Sequence, residues 1–509
     1  MENTRVSNSK RNIASGILRQ ITVVCLSFVT RTAVLYSLGK DYLGLDGLFT
    51  YIIQILNLAD FDFATIFLIL LYKPVAEQDT EKVCAILNTL KKIYFRVGLI
   101  IMGAGILLTP FLEFFVPDER PADINIYILY FVFVANAALT YMFFAYKGVF
   151  LIAAQRKDIE NRIHIFVMIT VRILQIIMLL IFKNYYYYIV LLPLGTLAGN
   201  YLQHRSFDRY FPQYKPGGTM DADSKKKFDE QIGSVYLGKI GDIARNGFDG
   251  IIISAAGGLT AVAMYDNYMY IFNALYAVIG MIILGAKASV GNSIATQDLE
   301  SNYKNMRKLN MLFMWIISWC SICLICIYQP FMTIWMKNDE EMLLSMPQVV
   351  MFGLYFYILN MTYIGNMFFD AKGLFYEGRL WLAIEAAANV ILNITLGYFF
   401  GITGVLAATL FTVAVFTMFC RTNVLFKHYY KNTPGRYFAD HLLYFVIYVI
   451  AGSICYFATS AIQIPGFAGL ILKLMVCAVL PNVIILIFYS RLPLWKDVSG
   501  FLKKLIRKA

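Results

Sequence analysis

The sequence predicts an all-α polytopic membrane protein of about fourteen transmembrane helices, built as two pseudo-symmetric six-helix lobes with a C-terminal helix pair. Three observations predict this. Of 509 residues, 59% are hydrophobic and only 15% charged, with a mean hydropathy of +0.63. Soluble domains run about 45–50% apolar and about 25% charged. Apolar runs long enough to cross a bilayer, about 20 residues each, fall at 13–38, 43–72, 93–116, 125–146, 163–182, 186–203, 233–256, 259–286, 309–335, 346–370, 380–400, 402–420, 441–461 and 467–490. Finally, 33 of the 44 Lys and Arg lie in the N-terminus, the C-terminus and the even-numbered connections, and only 4 in the odd-numbered ones. That asymmetry places both termini in the cytoplasm. Omitting one helix would scramble the alternation, so it also supports the count.

Taken in order, the first twelve residues are polar and basic, and no small-residue cleavage site ends the next run, so no cleavable signal is expected. The first span carries Arg19 and Arg31. The second carries Asp46, Asp60 and Asp62 and is long enough to tilt or kink. Arg96, near the start of the third, is placed to snorkel. Arg172 lies mid-span in the fifth. Tyr185–Tyr188 reads as an interfacial aromatic belt.

The connection 204–232, with KPGG and DADSKKKFDE, is polar and reads as a cytoplasmic linker between lobes spanning 1–203 and 233–425. The seventh span carries Lys239, Asp242, Arg245 and Asp249 within roughly 120° of one another at helical period. The eighth carries Asp266 and the eleventh Glu385; the final pair occupies 426–490, with Lys473 near its outer end. In the tail 491–509, apolar residues alternate with Lys503, Lys504, Arg507 and Lys508, as in an amphipathic helix on an anionic membrane face.

The two sides of the linker repeat weakly. PVAEQD at 74–79 matches SIATQD at 293–298, Asp46 matches Asp266, and Gly39 matches Gly258, at offsets of 219 or 220. A repeat of six helices preserves orientation, so the lobes should be related by an axis along the membrane normal.

The charges decide the functional reading. A charge at the bilayer centre costs about 2.5–3.5 kcal/mol even on the lenient insertion scale, so these side chains should face a protein interior or a hydrated cavity. A polytopic membrane protein with an ionised interior is most simply a transporter. Arg19, Arg31, Lys239, Arg245 and Arg172 are the candidate substrate-binding cations. Asp46, Asp60, Asp62, Asp242, Asp249, Asp266 and Glu385 are candidates for ion coupling or for pairing with those cations. A ligand cavity and structural ion pairing, such as Arg245 between Asp242 and Asp249, both remain open.

Other chemistries lack their residues. The segment from Gly233 to Lys239 nearly spells a P-loop, but Ile240 stands where a magnesium-binding Ser or Thr belongs. The four histidines are far apart and form no metal pattern. No Ser/His/Asp arrangement is recognisable. Cys320, Cys323 and Cys326 form a C-x2-C-x2-C run inside an apolar helix, which reads as packing. Neither an enzyme, a metal, a cofactor nor a nucleic-acid partner is expected; the basic residues sit where they set topology.

The stretch YLGLDGLFTYIIQILNLADFDFATIFLILLYKPVAEQDTEKV and the opening RNIASGILRQ resemble the second and first helices of bacterial polysaccharide flippases. These belong to the multidrug/oligosaccharidyl-lipid/polysaccharide (MOP) superfamily. The resemblance covers the whole chain through its helix count and trailing pair. It implies transport of a polyprenyl-diphosphate-linked oligosaccharide from the cytoplasmic to the outer leaflet of the bacterial inner membrane by alternating access. The implied partners are membrane lipids and the polysaccharide polymerase and export machinery. The sequence departs from the family where a glycine-rich stretch would follow Asp60 and instead reads Phe61-Asp62-Phe63-Ala64. The alternatives are a cation-coupled multidrug exporter of the same fold, a peptidoglycan-precursor flippase, or a membrane-embedded glycan polymerase, which would normally carry a large outer loop.

Overall fold

A computed structural model describes residues 2–116, 120–337 and 339–500. The side chains of 1–10, Asp242 and Arg245, among others, lie outside the described residues, as does 501–509 of the basic tail. The described residues are helical, with no strands.

Followed along the chain and divided at its breaks, the helical path supplies one rod for each expected span. These are α1 (Glu2–Ser37), α2 (40–77), α3 (80–115), α4 (126–153), α5 (Lys157–Phe182), α6 (185–210) and α7 (222–257). They continue as α8 (259–296), α9 (Leu299–Trp335), α10 (346–372), α11 (375–400), α12 (402–430), α13 (Gly435–Ser460) and α14 (Gly466–Tyr489). Among the described residues, nine helices are individually long and apolar enough to cross a membrane, or ten with the bent pair that makes α4. The breaks have local causes. Gly258 and Gly401 take positive φ of 73° and 54° inside otherwise continuous helix, a conformation that costs glycine little. In α4 the two halves meet at 44°. The end of α12 runs through wide π-helical turns at Val413–Arg421 and Phe426–Tyr430.

Short polar side chains start the helices, as expected where four backbone N–H groups lack partners. Asp79 accepts from the Lys82 N–H at 3.0 Å to open α3, and Asp298 accepts from the Ser301 N–H at 3.2 Å to open α9. Asn125 caps α4, Asn184 caps α6, and Ser345 with Gln348 forms a reciprocal cap on α10. The repeat anchors thus have a structural meaning. Asp79 and Asp298 are equivalent N-caps, while Gly39 and Gly258 are equivalent positive-φ residues before α2 and α8.

Two compact units emerge, residues 1–263 and 264–509. In the first, α1 packs along α5, α3 against α4, α5 against α6, and the start of α7 against the second half of α2. In the second, α9 is the central rod, packed by α10, α13 and α14, and α11 lies along α12. Polarity is inverted relative to a soluble protein. Leu107, Phe114, Phe399 and Phe457 are exposed, whereas Asn310, Ser321, Asn389 and Asn393 are buried. Each of these four side chains makes a hydrogen bond: Asn310 to His441 at 2.7 Å, Ser321 to the Gly353 carbonyl at 2.7 Å, Asn389 to Thr412 at 3.0 Å, and Asn393 to Asn389 at 3.1 Å. That is the arrangement a hydrocarbon solvent demands. The chain is a multi-pass membrane protein.

Close helix approach depends on Gly44 in α2. A Cβ there would lie 2.2 Å from the Leu259 carbonyl oxygen. Backbone cannot yield as a flexible side chain can, so Gly44→Ala should destabilise the fold by about 1–3 kcal/mol. Thermal unfolding of the detergent-solubilised protein would check this. Gly103→Ala is the control, since its Cβ position meets nothing within 4 Å.

Candidate functional site

The first unit encloses a cavity of about 580 Å³ whose lining includes Asp46, Thr50, Gln54 and Asn57 of the α2 rod, Asn136 and Tyr141 of α4, and Arg172 and Tyr188. Helical period explains the set. Asp46, Thr50, Ile53 and Asn57 recur at intervals of three and four, so one stripe of α2 faces the cavity. Asp46 accepts a hydrogen bond from the buried Tyr185 hydroxyl at 2.9 Å, and Arg31 and Arg172 place positive charge beside it. Arg172 donates to the Gln175 side-chain oxygen at 2.9 Å and to the Tyr188 hydroxyl at 3.4 Å. Gln175 in turn donates to the Tyr188 carbonyl at 2.9 Å, which locks the guanidinium's support in place. Asn136 accepts from Thr196 at 2.7 Å. The result is a polar intramembrane chamber lined by Arg172 and Asp46, with Arg31 adding positive charge near that acid.

One turn beyond the stripe, α2 breaks. Its first half ends in a 3-10 turn at Asn57–Asp60, and Phe61 and Asp62 both take left-handed φ, 51° and 52°, before Phe63 restarts the helix. Two consecutive non-glycine residues in this region are strained. They occupy the place where the sequence departs from the flippase pattern. Asp60 is buried there and accepts from the Lys239 ammonium of α7 at 2.8 Å. The Tyr141 hydroxyl also reaches Asp60, and the Asp62 carboxylate adds negative charge. Because Tyr141 and Asn57 also line the chamber, the ion pair adjoins it.

The other expected site residues are elsewhere. Arg19 donates to Asn161 at 3.2 Å and lies 3.4 Å from Glu160, both on α5, apart from the arginines of the chamber. Beside it, Asp158 accepts from Arg11 at 2.8 Å and Arg156 at 2.9 Å. This is an ion-pair seam joining α1 to α5. Asp249 is buried and engaged, and Asp266 is engaged as well, apart from the residues that line the chamber. Glu385 is buried against Thr417, whose hydroxyl donates at 2.7 Å. The side chains of Asp242 and Arg245 lie outside the described residues.

Sequence reasoning missed Tyr185, Tyr188, Gln175 and Tyr141. The tyrosine run looked like an interfacial belt by composition. At helical period, however, Tyr185 and Tyr188 fall on one face, and they are 0% and 5% exposed against 50% for Tyr187. The signal was present in the i, i+3 spacing.

No family model matches the sequence, and no curated relative does. Solved structures do match. A lipid II flippase, MurJ, in an inward closed conformation superposes with a TM-score of 0.65 over 93% of this chain and 99% of that one, at 15% identity. The chain has the fold of the MOP superfamily. An inward-facing multidrug-resistance MATE transporter of that superfamily superposes at 0.58 over 79% of this chain and 95% of that one, at 13% identity. A MOP transporter from Pyrococcus furiosus, whose binding pocket of reverse polarity is taken to suggest a different function, superposes at 0.52 over 84% and 97%, at 12% identity. At such identities the likeness is one of fold. The MOP fold bears out the expected helical architecture, whereas the role of each charged residue rests on the geometry above.

The Asp60–Lys239 pair yields a thermodynamic test. Removing one partner of a largely buried pair leaves the other charge uncompensated, at about 3–5 kcal/mol. Lys239→Met should therefore lower stability markedly, and adding Asp60→Asn should recover most of the loss. Thermal unfolding of the single and double variants would check the cycle. Additive losses would mean that the pair is not a stabilising contact.

Proposed function

We propose that this protein is a flippase that carries a polyprenyl-diphosphate-linked oligosaccharide from the cytoplasmic to the outer leaflet of the bacterial inner membrane, by alternating access, for polysaccharide export. The observation that carries the reading is Arg172 in the lining of a polar chamber inside the membrane, with Arg31 placing a second positive charge near the same Asp46. A diphosphate needs cations in a confined site, and the planar guanidinium presents paired donors to phosphate oxygens. Amides and hydroxyls of Gln54, Asn57, Asn136 and Thr50 suit a hydrated sugar. The wide coverage of the lipid II flippase, 93% of this chain against 79% for the MATE transporter, favours a lipid-linked substrate over a drug. On this reading both termini are cytoplasmic, and the polymerase and export machinery take the product.

A second reading, a cation-coupled exporter, is favoured by one observation. Asp46 shares the chamber with the arginines, and a carboxylate there could bind a proton or sodium that resets the carrier. Both readings describe a transporter rather than an enzyme.

Arg172→Ala and Arg31→Ala should abolish export without removing the protein from the membrane, and Lys at either position should rescue only partly. Complementation of a flippase-deficient strain, with protein levels followed, is the measurement. Full activity of both Ala variants would reject the reading.

The driving force is testable separately. A diphosphate linkage carries about two negative charges, and each charge crossing the potential is worth about 2.3 kcal/mol per 100 mV. Outward movement in an inside-negative cell is then favoured by about 4–5 kcal/mol per 100 mV if the charges are uncompensated. In proteoliposomes, flipping should follow an imposed potential with proton and sodium gradients absent. Flipping that persists at zero potential but stops without those gradients would shift the role to Asp46, Asp60 and Glu385.

A further inference from the structure

The second unit holds a cluster that transport does not use. Three cysteines from three helices converge: Cys326 of α9, Cys455 of α13 and Cys477 of α14. Their Sγ atoms all lie within 4.8 Å of one another, and all three residues are buried. The Cys455 and Cys477 sulfurs are 3.7 Å apart. The C-x2-C-x2-C run therefore does not act as a unit. Only its last member enters the cluster, and the other two ligands arrive from the helix pair appended to the repeat.

We propose that Cys326, Cys455 and Cys477 form a binding site for one monovalent soft metal ion, Cu(I). The geometry fits. Metal–thiolate bonds of about 2.3 Å in a trigonal plane require sulfur–sulfur separations of about 4.0 Å, close to what these atoms show. Three sulfur ligands and no nitrogen or oxygen ligand select a soft ion. Structural zinc takes four protein ligands and iron–sulfur clusters take four cysteines, whereas three thiolates complete a Cu(I) site.

The surroundings hold the ligands in place. The Cys477 carbonyl accepts from Trp319 Nε1 at 2.9 Å and from the Cys323 thiol at 3.6 Å. Thr459 donates to the Cys455 carbonyl at 2.9 Å. Such outer contacts orient metal ligands. An entry path exists, because Cys326 and Thr459 line a pocket of about 690 Å³ whose wall also carries Lys337 and Lys473. Those ammonium groups offset the negative charge of a Cu(I) tris-thiolate. Bound there, the ion would clip α13 and α14 to α9.

The test uses the full-length protein, purified anaerobically in detergent and titrated with Cu(I) against a competing chelator. It should withdraw one equivalent. Mass-spectrometric mapping of alkylation, followed through thermal unfolding, should then show that Cu(I) delays modification of Cys326, Cys455 and Cys477, with Cys25 and Cys420 modified alike with and without the ion. Cys326→Ser, Cys455→Ser and Cys477→Ser should each lose the tight equivalent, while Cys320→Ser keeps it. The mapping needs no variant, so a misfolded variant leaves the test intact. The proposal is overturned by no withdrawal of Cu(I), by protection of other cysteines, by preferential uptake of Zn(II), or by a Cys455–Cys477 disulfide in the protein as isolated.

Discussion

Charge inside a bilayer must be answered where it sits, and this constraint organises the molecule. Lys239 meets Asp60, Arg172 and Arg31 place positive charge near Asp46, and Arg19 leans on Glu160. Coulomb attraction is strong at low dielectric and desolvation is costly, so each ion fixes the position of the helix bearing its partner. Hydrophobic burial gives little preference between helices in lipid, since lipid tails are as apolar as leucine. Polar matches and close backbone approaches, such as Gly44 on Leu259, are left to decide which helix lies beside which.

The same constraint separates scaffold from chamber. Arg19 and Arg172 look alike in sequence, each an arginine within an apolar run. In the structure Arg19 belongs to a seam with acids and an asparagine on α5, whereas Arg172 is held by Gln175 and Tyr188 with its charge at an open volume. An arginine whose hydrogen bonds go to neutral groups, with the Asp46 carboxylate near it but not bonded to those donors, keeps more of its charge for a ligand. One neutralised by a carboxylate holds helices together. By that criterion the chamber is the stronger place for an anionic group.

Much of this was legible in the residues. The order of the passes, the caps at Asp79 and Asp298 and the positive-φ glycines at 39 and 258 follow from local rules. The partners were not legible, because period places a side chain on a face of its own helix and says nothing about which helix comes to meet it. Asp46 finds a tyrosine 139 residues away, and Cys326 finds thiols on the last two helices. The break at Phe61 and Asp62 was half visible, as an added acid where glycine belongs. Its left-handed backbone became clear only with Lys239 in place.

The separation of one pair bears on how the protein is made. Asp60 and Lys239 are 179 residues apart. A ribosome adding about 5–20 residues per second needs about 10–35 s to reach the lysine after the aspartate. Throughout that interval the acid has no lysine to meet. It must wait protonated, at a hydrated edge or against another partner, so the contact that joins the second helix to the seventh is among the later ones to form.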